Sequence, residues 1–189
     1  ISNGFSHNAS DARSYYQVRL DYNHTFYEKH EVTAMLLANR SHRTVNNELT
    51  YRSQGLTGRM AYYYNQKYLL EFNFGYNGSE NFAPGKRFGF FPSIAGGWVI
   101  SNEPFWKRIK DKISLFKIRA SYGLVGNDVI SSNYTDRFPY LSTVAMDQHY
   151  DVQIGTNFDQ KNGPILSIFG NPEATWEKSR KLDIGVEIG

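Results

Sequence analysis

Residues 113–128 read ISLFKIRASYGLVGND, and their period of two decides the fold. The even positions are Phe116, Ile118, Ala120, Tyr122 and Leu124, and the odd ones Leu115, Lys117, Arg119, Ser121 and Gly123. One face is apolar and the other mostly polar, the mark of a strand between two different solvents. Roughly ten residues of this pattern is also what a tilted strand needs to cross a bilayer. Two structures satisfy it: a half-buried strand of a soluble sandwich, and a wall strand of a membrane barrel.

The same alternation recurs on both sides. In residues 12–25, Tyr16, Val18, Leu20 and Tyr22 alternate with Tyr15, Gln17, Arg19, Asp21 and Asn23. After a short link, residues 31–39 carry Val32, Ala34, Leu36 and Ala38 on one face, which predicts a hairpin, although Thr33, Met35 and Leu37 weaken the contrast. Strands at 56–64 and 68–76 are joined by Asn65-Gln66-Lys67, and Tyr68, Leu70, Phe72, Phe74 and Tyr76 share one face against Glu71, Asn73 and Gly75. A fifth strand spans 88–100; its Pro92 cannot donate to a ladder and so predicts a bulge or the strand's true start. Residues 101–112 form a polar connection with one helical turn after Pro104. The last strand, 175–188, sets Leu182, Ile184, Val186 and Ile188 against Lys181, Asp183 and Glu187. The fold class is all-β, an antiparallel meander of about seven strands.

The connections sort by length. Tight links alternate with long, polar, aperiodic loops at 40–55, 77–87 and 126–174, the last with strand-like pieces at 140–145 and 150–154. A barrel predicts this when one rim faces a cramped compartment and the other the outside; a soluble sandwich has no reason for it. Energies support the face assignment. Lys or Arg on a lipid face costs ~2–4 kcal/mol near the midplane and far less near the rims, so Lys117 and Arg119 point into a wet lumen and Ile118, Ala120 and Tyr122 face lipid. Lys178 and Arg180 have the apolar parity but stand at the loop end of their strand, above the hydrocarbon. Open sheet edges are not tolerated in lipid. The chain opens on Ile1 and ends on LDIGVEIG within a strand pattern, so we expect a portion of something larger whose remaining strands lie outside it.

Composition agrees. Of 189 residues 16% are aromatic, including 14 Tyr and 13 Phe, the excess expected of strands and of membrane interfaces. A mean hydropathy of -0.54 and the lack of a long apolar run exclude a transmembrane helix but not a barrel, whose lumen residues dilute every window. The net charge of +3 is spread along the chain with no basic stripe, which argues against nucleic acid as a partner. Without Cys there are no disulfides, thiolate nucleophiles or cysteine metal sites.

Three segments in order, RFGFFPSIAGGWVISNEPF (87–105), LFKIRASYGLVGND (115–128) and GNPEATWEKSRKLDIGVEIG (170–189), preceded by YLLEFNFGYNGSENF (68–82), resemble the barrel of SusC/RagA-type TonB-linked outer-membrane transporters. The resemblance implies a closed barrel of about 22 strands set in outer-membrane lipid. It also implies import of oligosaccharides or peptides, driven through TonB, with a SusD-like surface lipoprotein over the open rim. The family's plug domain and TonB-contacting segment have no counterpart among these residues, so TonB would act through a region outside the chain. No cofactor and no catalytic residue are implied.

Other chemistry is weakly signalled. His7, His24, His30, His42 and His149 are scattered, and Asp147, Asp151 and Asp159 lack the spacing of a calcium loop, so no metal site is expected. Glu28, Glu71, Asp183 and Glu187 are better read as solvated lumen carboxylates than as a hydrolase pair. Five Asn-X-Ser/Thr matches, beginning with Asn8, are expected by chance in so Asn-rich a chain. Tyr134, Phe138, Tyr140, Tyr150 and Phe158 in the long loop are the candidate substrate contacts, since flat aromatic faces suit sugars and peptides. The competing account is that they pack the loop on itself. Trp98 and Trp176 read as interfacial anchors or rim packing. The alternative class is a soluble secreted all-β module that binds or cleaves glycans. It would hold its Tyr, Phe and Ile faces in a dry core under a second sheet.

Overall fold

The computed structural model describes residues 11–45, 50–129, 138–154 and 157–189, with side chains left undescribed at 45, 147–154 and 157–162. Its strands are β1 (Asp11–Phe26), β2 (His30–Val45), β3 (Tyr51–Tyr64), β4 (Tyr68–Ser79), β5 (Phe88–Val99), β6 (Phe116–Asn127), β7 (Thr143–Ile154), β8 (Asn157–Ile168) and β9 (Glu177–Ile188). Seven of them form one antiparallel sheet in the order β1-β2-β3-β4-β5-β6-β9, and β7 pairs with β8 in a separate two-stranded sheet. The chain divides into two compact units: the sheet with its tight turns, and a second unit of residues 80–87 and 128–176.

Register carries the argument. In every ladder of the large sheet an even-numbered residue pairs with an even one and an odd with an odd, from Val18↔Ala38 on β1 and β2 to Ala120↔Ile184 on β6 and β9. Because side chains alternate faces along a strand, the apolar even set is therefore one continuous face across all seven strands. The row Phe26, His30, Tyr64, Tyr68, Trp98, Ile118, Val186 crosses the sheet by direct pairing at the tight-turn end. A second row, Val18, Ala38, Leu56, Tyr76, Phe90, crosses β1 to β5. On β4 the two rows enclose the nine residues from Tyr68 to Tyr76, within the range of ~9–11 that a tilted strand needs to span a bilayer.

The expected loop at 40–55 is corrected by this sheet. β2 and β3 stay paired through Arg40↔Gln54, His42↔Arg52 and Arg43↔Tyr51, and Ser41 and Ser53 share a hydroxyl hydrogen bond of 2.7 Å. β1 and β2 are 16 residues long, beyond the ~9–11 that a bilayer requires. A ladder that is wet on both faces has no reason to alternate, so polar strand reads as loop. Likewise β4 continues to Ser79, and the stretch 126–174 contains the β7–β8 hairpin. Pro92 starts nothing and pairs in register with Phe74; it stands where pairing between β5 and β6 stops, just beyond Ser93↔Gly123, so its missing N–H is cheap there.

Both hairpin turns have two successive residues in the left-handed region, Tyr27 (φ 49°) and Glu28 (φ 57°), then Asn65 (φ 50°) and Gln66 (φ 55°). That is the handedness which matches the twist of hairpin strands. Each is closed by a backbone bond, from Lys29 N–H to the Phe26 carbonyl at 3.2 Å and from Lys67 N–H to the Tyr64 carbonyl at 2.9 Å. After β5 come two 3-10 turns, Ile100–Asn102 and Pro104–Arg108, the latter with Pro at its start as expected.

The large sheet has almost no core. Among the described residues the buried hydrophobic side chains are Ala61, Phe82, Phe91, Ile100 and Trp176, while Leu182, Ile184, Val186 and Ile188 are 66, 71, 55 and 68% exposed. An apolar face of this extent is unstable in water.

Candidate functional site

The odd-numbered face is a polar wall held by pairs across and along strands. Arg19 bonds Asp21 at 2.7 Å, and Arg59 reaches Glu71 on the next strand at 2.6 Å, with Asn73 donating to the other oxygen of Glu71 at 2.8 Å. Glu187 receives both Lys117 and Arg119 at 3.4 Å. These pairs are exposed enough that each contributes little to stability, ~0–1 kcal/mol. Their effect is to present fixed charge of both signs. Small residues open a shallow depression between them, lined by Leu69, Ala95, Lys117, Arg119, Ser121 and Asp183. The Arg119 side chain lies over its pairing partner Gly185, where a Cβ would come within 2.9 Å of Nε.

The even-numbered face is banded by rings. At the tight-turn end His30 lies 5.0 Å from Tyr64, Tyr64 6.3 Å from Tyr68, and Tyr68 6.2 Å from Trp98. Toward the other end Tyr76 stacks on Phe88 at 5.1 Å and Phe74 meets Phe90 at 6.0 Å. Two aromatic girdles flanking an apolar band are how a barrel wall meets the two interfaces of a membrane. Trp98 is thus placed in a girdle. Lys178 and Arg180 pair with Gly126 and Leu124, at the loop end of β9 as expected.

Beside the girdle at the tight-turn end sits a buried carboxylate that no sequence pattern singled out. Glu103 accepts the Tyr68 hydroxyl at 2.7 Å, the Lys67 ammonium at 2.9 Å and the Trp98 indole N–H at 3.2 Å. These donors, Tyr68 foremost, hold its carboxyl below the usual carboxylate range against the opposing effect of desolvation. Its donors come from separate segments, so only the fold assembles them.

The second unit has its own core. Phe82 is fully buried against Trp176, with ring centroids 5.4 Å apart, and the Trp176 indole donates to the Arg87 carbonyl at 3.1 Å. Asn81 donates to the Asp128 carbonyl at 2.9 Å, and Lys86 pairs with Glu173. Trp176, expected as an interfacial anchor or as rim packing, thus packs within the second unit.

Of the five candidate ligand contacts the structure brings two together. Phe138, at a left-handed φ of 58°, meets Tyr140 edge to face at 6.3 Å, and both are half-buried. Tyr134 lies outside the described residues. Tyr150 and Phe158 fall on β7 and β8, where their backbones pair with Lys161 and Gln153; their side chains are not described. No group of three metal-ligating side chains occurs among the described residues.

A sheet with one parity apolar and ring-banded and the other polar and ion-paired is a length of outer-membrane barrel wall. No family model matches the chain. Among curated proteins it is 37% identical over 131 residues to TonB-dependent receptor P3 of Formosa agariphila, covering 69% of this chain and 12% of that protein. It is 30% identical over 133 residues to TonB-dependent receptor SusC of Bacteroides thetaiotaomicron, covering 70% and 12%. Among solved structures it superposes on the RagAB peptide transporter with a TM-score of 0.74 at 19% identity, over 96% of this chain and 22% of that one. The RagAB peptide importer in its 'open-open' state gives 0.69 at 20% identity, over 96% and 22%. The chain belongs to the SusC/RagA-type TonB-dependent receptors and is a piece of their barrel, spanning about an eighth of the length of the curated relatives it matches.

Proposed function

We propose that the chain is one sector of the wall of a TonB-dependent outer-membrane importer, which takes up oligosaccharides or peptides together with a SusD-like lipoprotein. The observation that carries this is the unbroken parity of the sheet: an apolar face for lipid and a polar, charge-paired face for a wet lumen. No second sheet covers Ile184 and its neighbours among the described residues, and such an apolar face is expected beside acyl chains. The curated relatives are TonB-dependent receptors and RagAB is a peptide transporter, which favours transport over bond cleavage. Energy coupling belongs to the receptor's regions outside this chain. Phe138 and Tyr140, with Tyr134, Tyr150 and Phe158, are the residues we assign to ligand contact.

The test uses the full-length receptor. It should fractionate with the outer membrane, run as a heat-modifiable band in detergent gels, and support growth on a peptide or oligosaccharide only when TonB is present. Replacing both Phe138 and Tyr140 by Ala should weaken uptake of that ligand while leaving the band unchanged. A soluble, heat-indifferent protein would sink the transporter reading.

A further inference from the structure

We infer that residues 105–112, between β5 and β6, are a docking surface for anionic phospholipid headgroups in the leaflet at the tight-turn end of the wall; the inference rests on the membrane-barrel reading above. β1–β2 and β3–β4 are closed at this end by the tight turns 27–29 and 65–67, whereas β5–β6 uses residues 100–115. The extra length is basic. Lys107, Arg108, Lys110 and Lys112 stand against Asp111 alone, and all are exposed. Among the described residues none of these four cationic side chains has a hydrogen-bond or ion-pair partner.

The segment is directed to the apolar side. The Trp106 ring stacks on Phe116 at 5.2 Å with an angle of 1° between planes, and its indole donates to the Ile113 carbonyl at 3.1 Å. Phe116 has the even parity of the lipid-facing set, so the connection folds under that face. Phe105 and Ile109, 62 and 42% exposed, lie in the same short stretch. Its base is fixed: Val99 N–H bonds the Lys67 carbonyl at 2.7 Å, Asn102 donates to the Gln66 carbonyl at 2.9 Å, and Lys67 holds Glu103.

Exposed apolar side chains and cations on one short segment beside an apolar band suit the boundary of a leaflet. Apolar groups and aliphatic stems sit at the edge of the hydrocarbon while the charges reach phosphate level. Unpaired cations in this number are complementary to phosphodiesters that carry net negative charge. A zwitterionic surface answers only the aromatic part.

The experiment purifies the full-length receptor from membranes of mixed phosphatidylglycerol and phosphatidylethanolamine, then quantifies the lipid retained by each preparation. The wild type should retain the anionic lipid over the zwitterionic one by about tenfold, since each Lys or Arg near an anionic surface contributes roughly fivefold before screening. The variant K107Q/R108Q/K110Q/K112Q should lose that preference. So should the wild type washed at ~1 M salt, where the screening length falls to about 3 Å, a readout that does not depend on the variant folding. A wild type with a heat-modifiable band and no preference overturns the inference alone, as does a folded variant that keeps the preference. A wild type with no heat-modifiable band overturns the barrel reading and this inference together.

Discussion

The ring of Phe91 fills the space that a side chain at Gly126 would need. Phe91 is 8% exposed, and the contact lies just past the point where β5 and β6 cease to pair at Ser93↔Gly123. Glycine here lets a buried ring take the place of lost ladder bonds. Gly126→Ala should therefore destabilise the barrel by about 1–3 kcal/mol through overpacking. The temperature at which the folded band disappears from detergent gels should fall accordingly. Adding Phe91→Ala should recover part of the loss, and strictly additive losses would show that the two residues do not meet.

Glu103 makes stability depend on pH in a stated direction. Its carboxyl is held below the usual range by the Tyr68 hydroxyl, then Lys67 and Trp98. A carboxyl depressed in the folded state contributes fully above its unfolded pKa, and the contribution is lost as pH falls through the folded value. Between neutral pH and the acid side of the carboxylate range, the melting temperature of the wild type should fall by more than that of Glu103→Gln. Parallel curves would mean that the carboxylate adds nothing.

The two faces of the sheet differ in what they tolerate. Ile184→Arg on the even face should cost ~2–4 kcal/mol if it meets the hydrocarbon. Ser121→Arg lies on the odd face in the depression beside Asp183, and should cost no more than about 1 kcal/mol, as for an exposed charge near a partner. Urea unfolding of the receptor in lipid vesicles measures both, and equal costs would contradict the assignment of faces.

Phe82 should act on the loops and not on the wall. Its fully buried ring packs on Trp176 within the second unit, so Phe82→Ala should cost that unit ~3–5 kcal/mol. Limited proteolysis should then cut within 80–87 or 128–176 much sooner than in the wild type, with the heat-modifiable band retained. Loss of the band itself would show that the loop core and the wall fold as one.

Legibility followed solvent contrast. Tyr68, Leu70, Phe72, Phe74 and Tyr76 announce β4 because one face must be apolar and the other wet. Arg40, His42, Arg52 and Gln54 belong equally to paired strands, yet with both faces in water nothing in their order required alternation. Pro92 misled for the opposite reason: a local rule applies only where an N–H is needed, and the neighbour on that side ends before it. Of the site, the polar parity of Lys117, Arg119 and Glu187 was visible and their convergence was not, because it depends on a pairing bridged by the long excursion between β6 and β9. The left-handed turn that brings Phe138 to Tyr140 had no signal, since the residue there is one that rarely adopts it.

The like-with-like register also limits how the length of this chain can change. One residue inserted within a strand moves everything on one side of it to the other solvent, unless a bulge absorbs the slip. Inserted residues in the wall are therefore tolerated in twos, while the connection at 80–87 accepts any number. Divergence among such receptors has a parity: the wall counts in pairs, and a connection outside the ladders is free to count in ones.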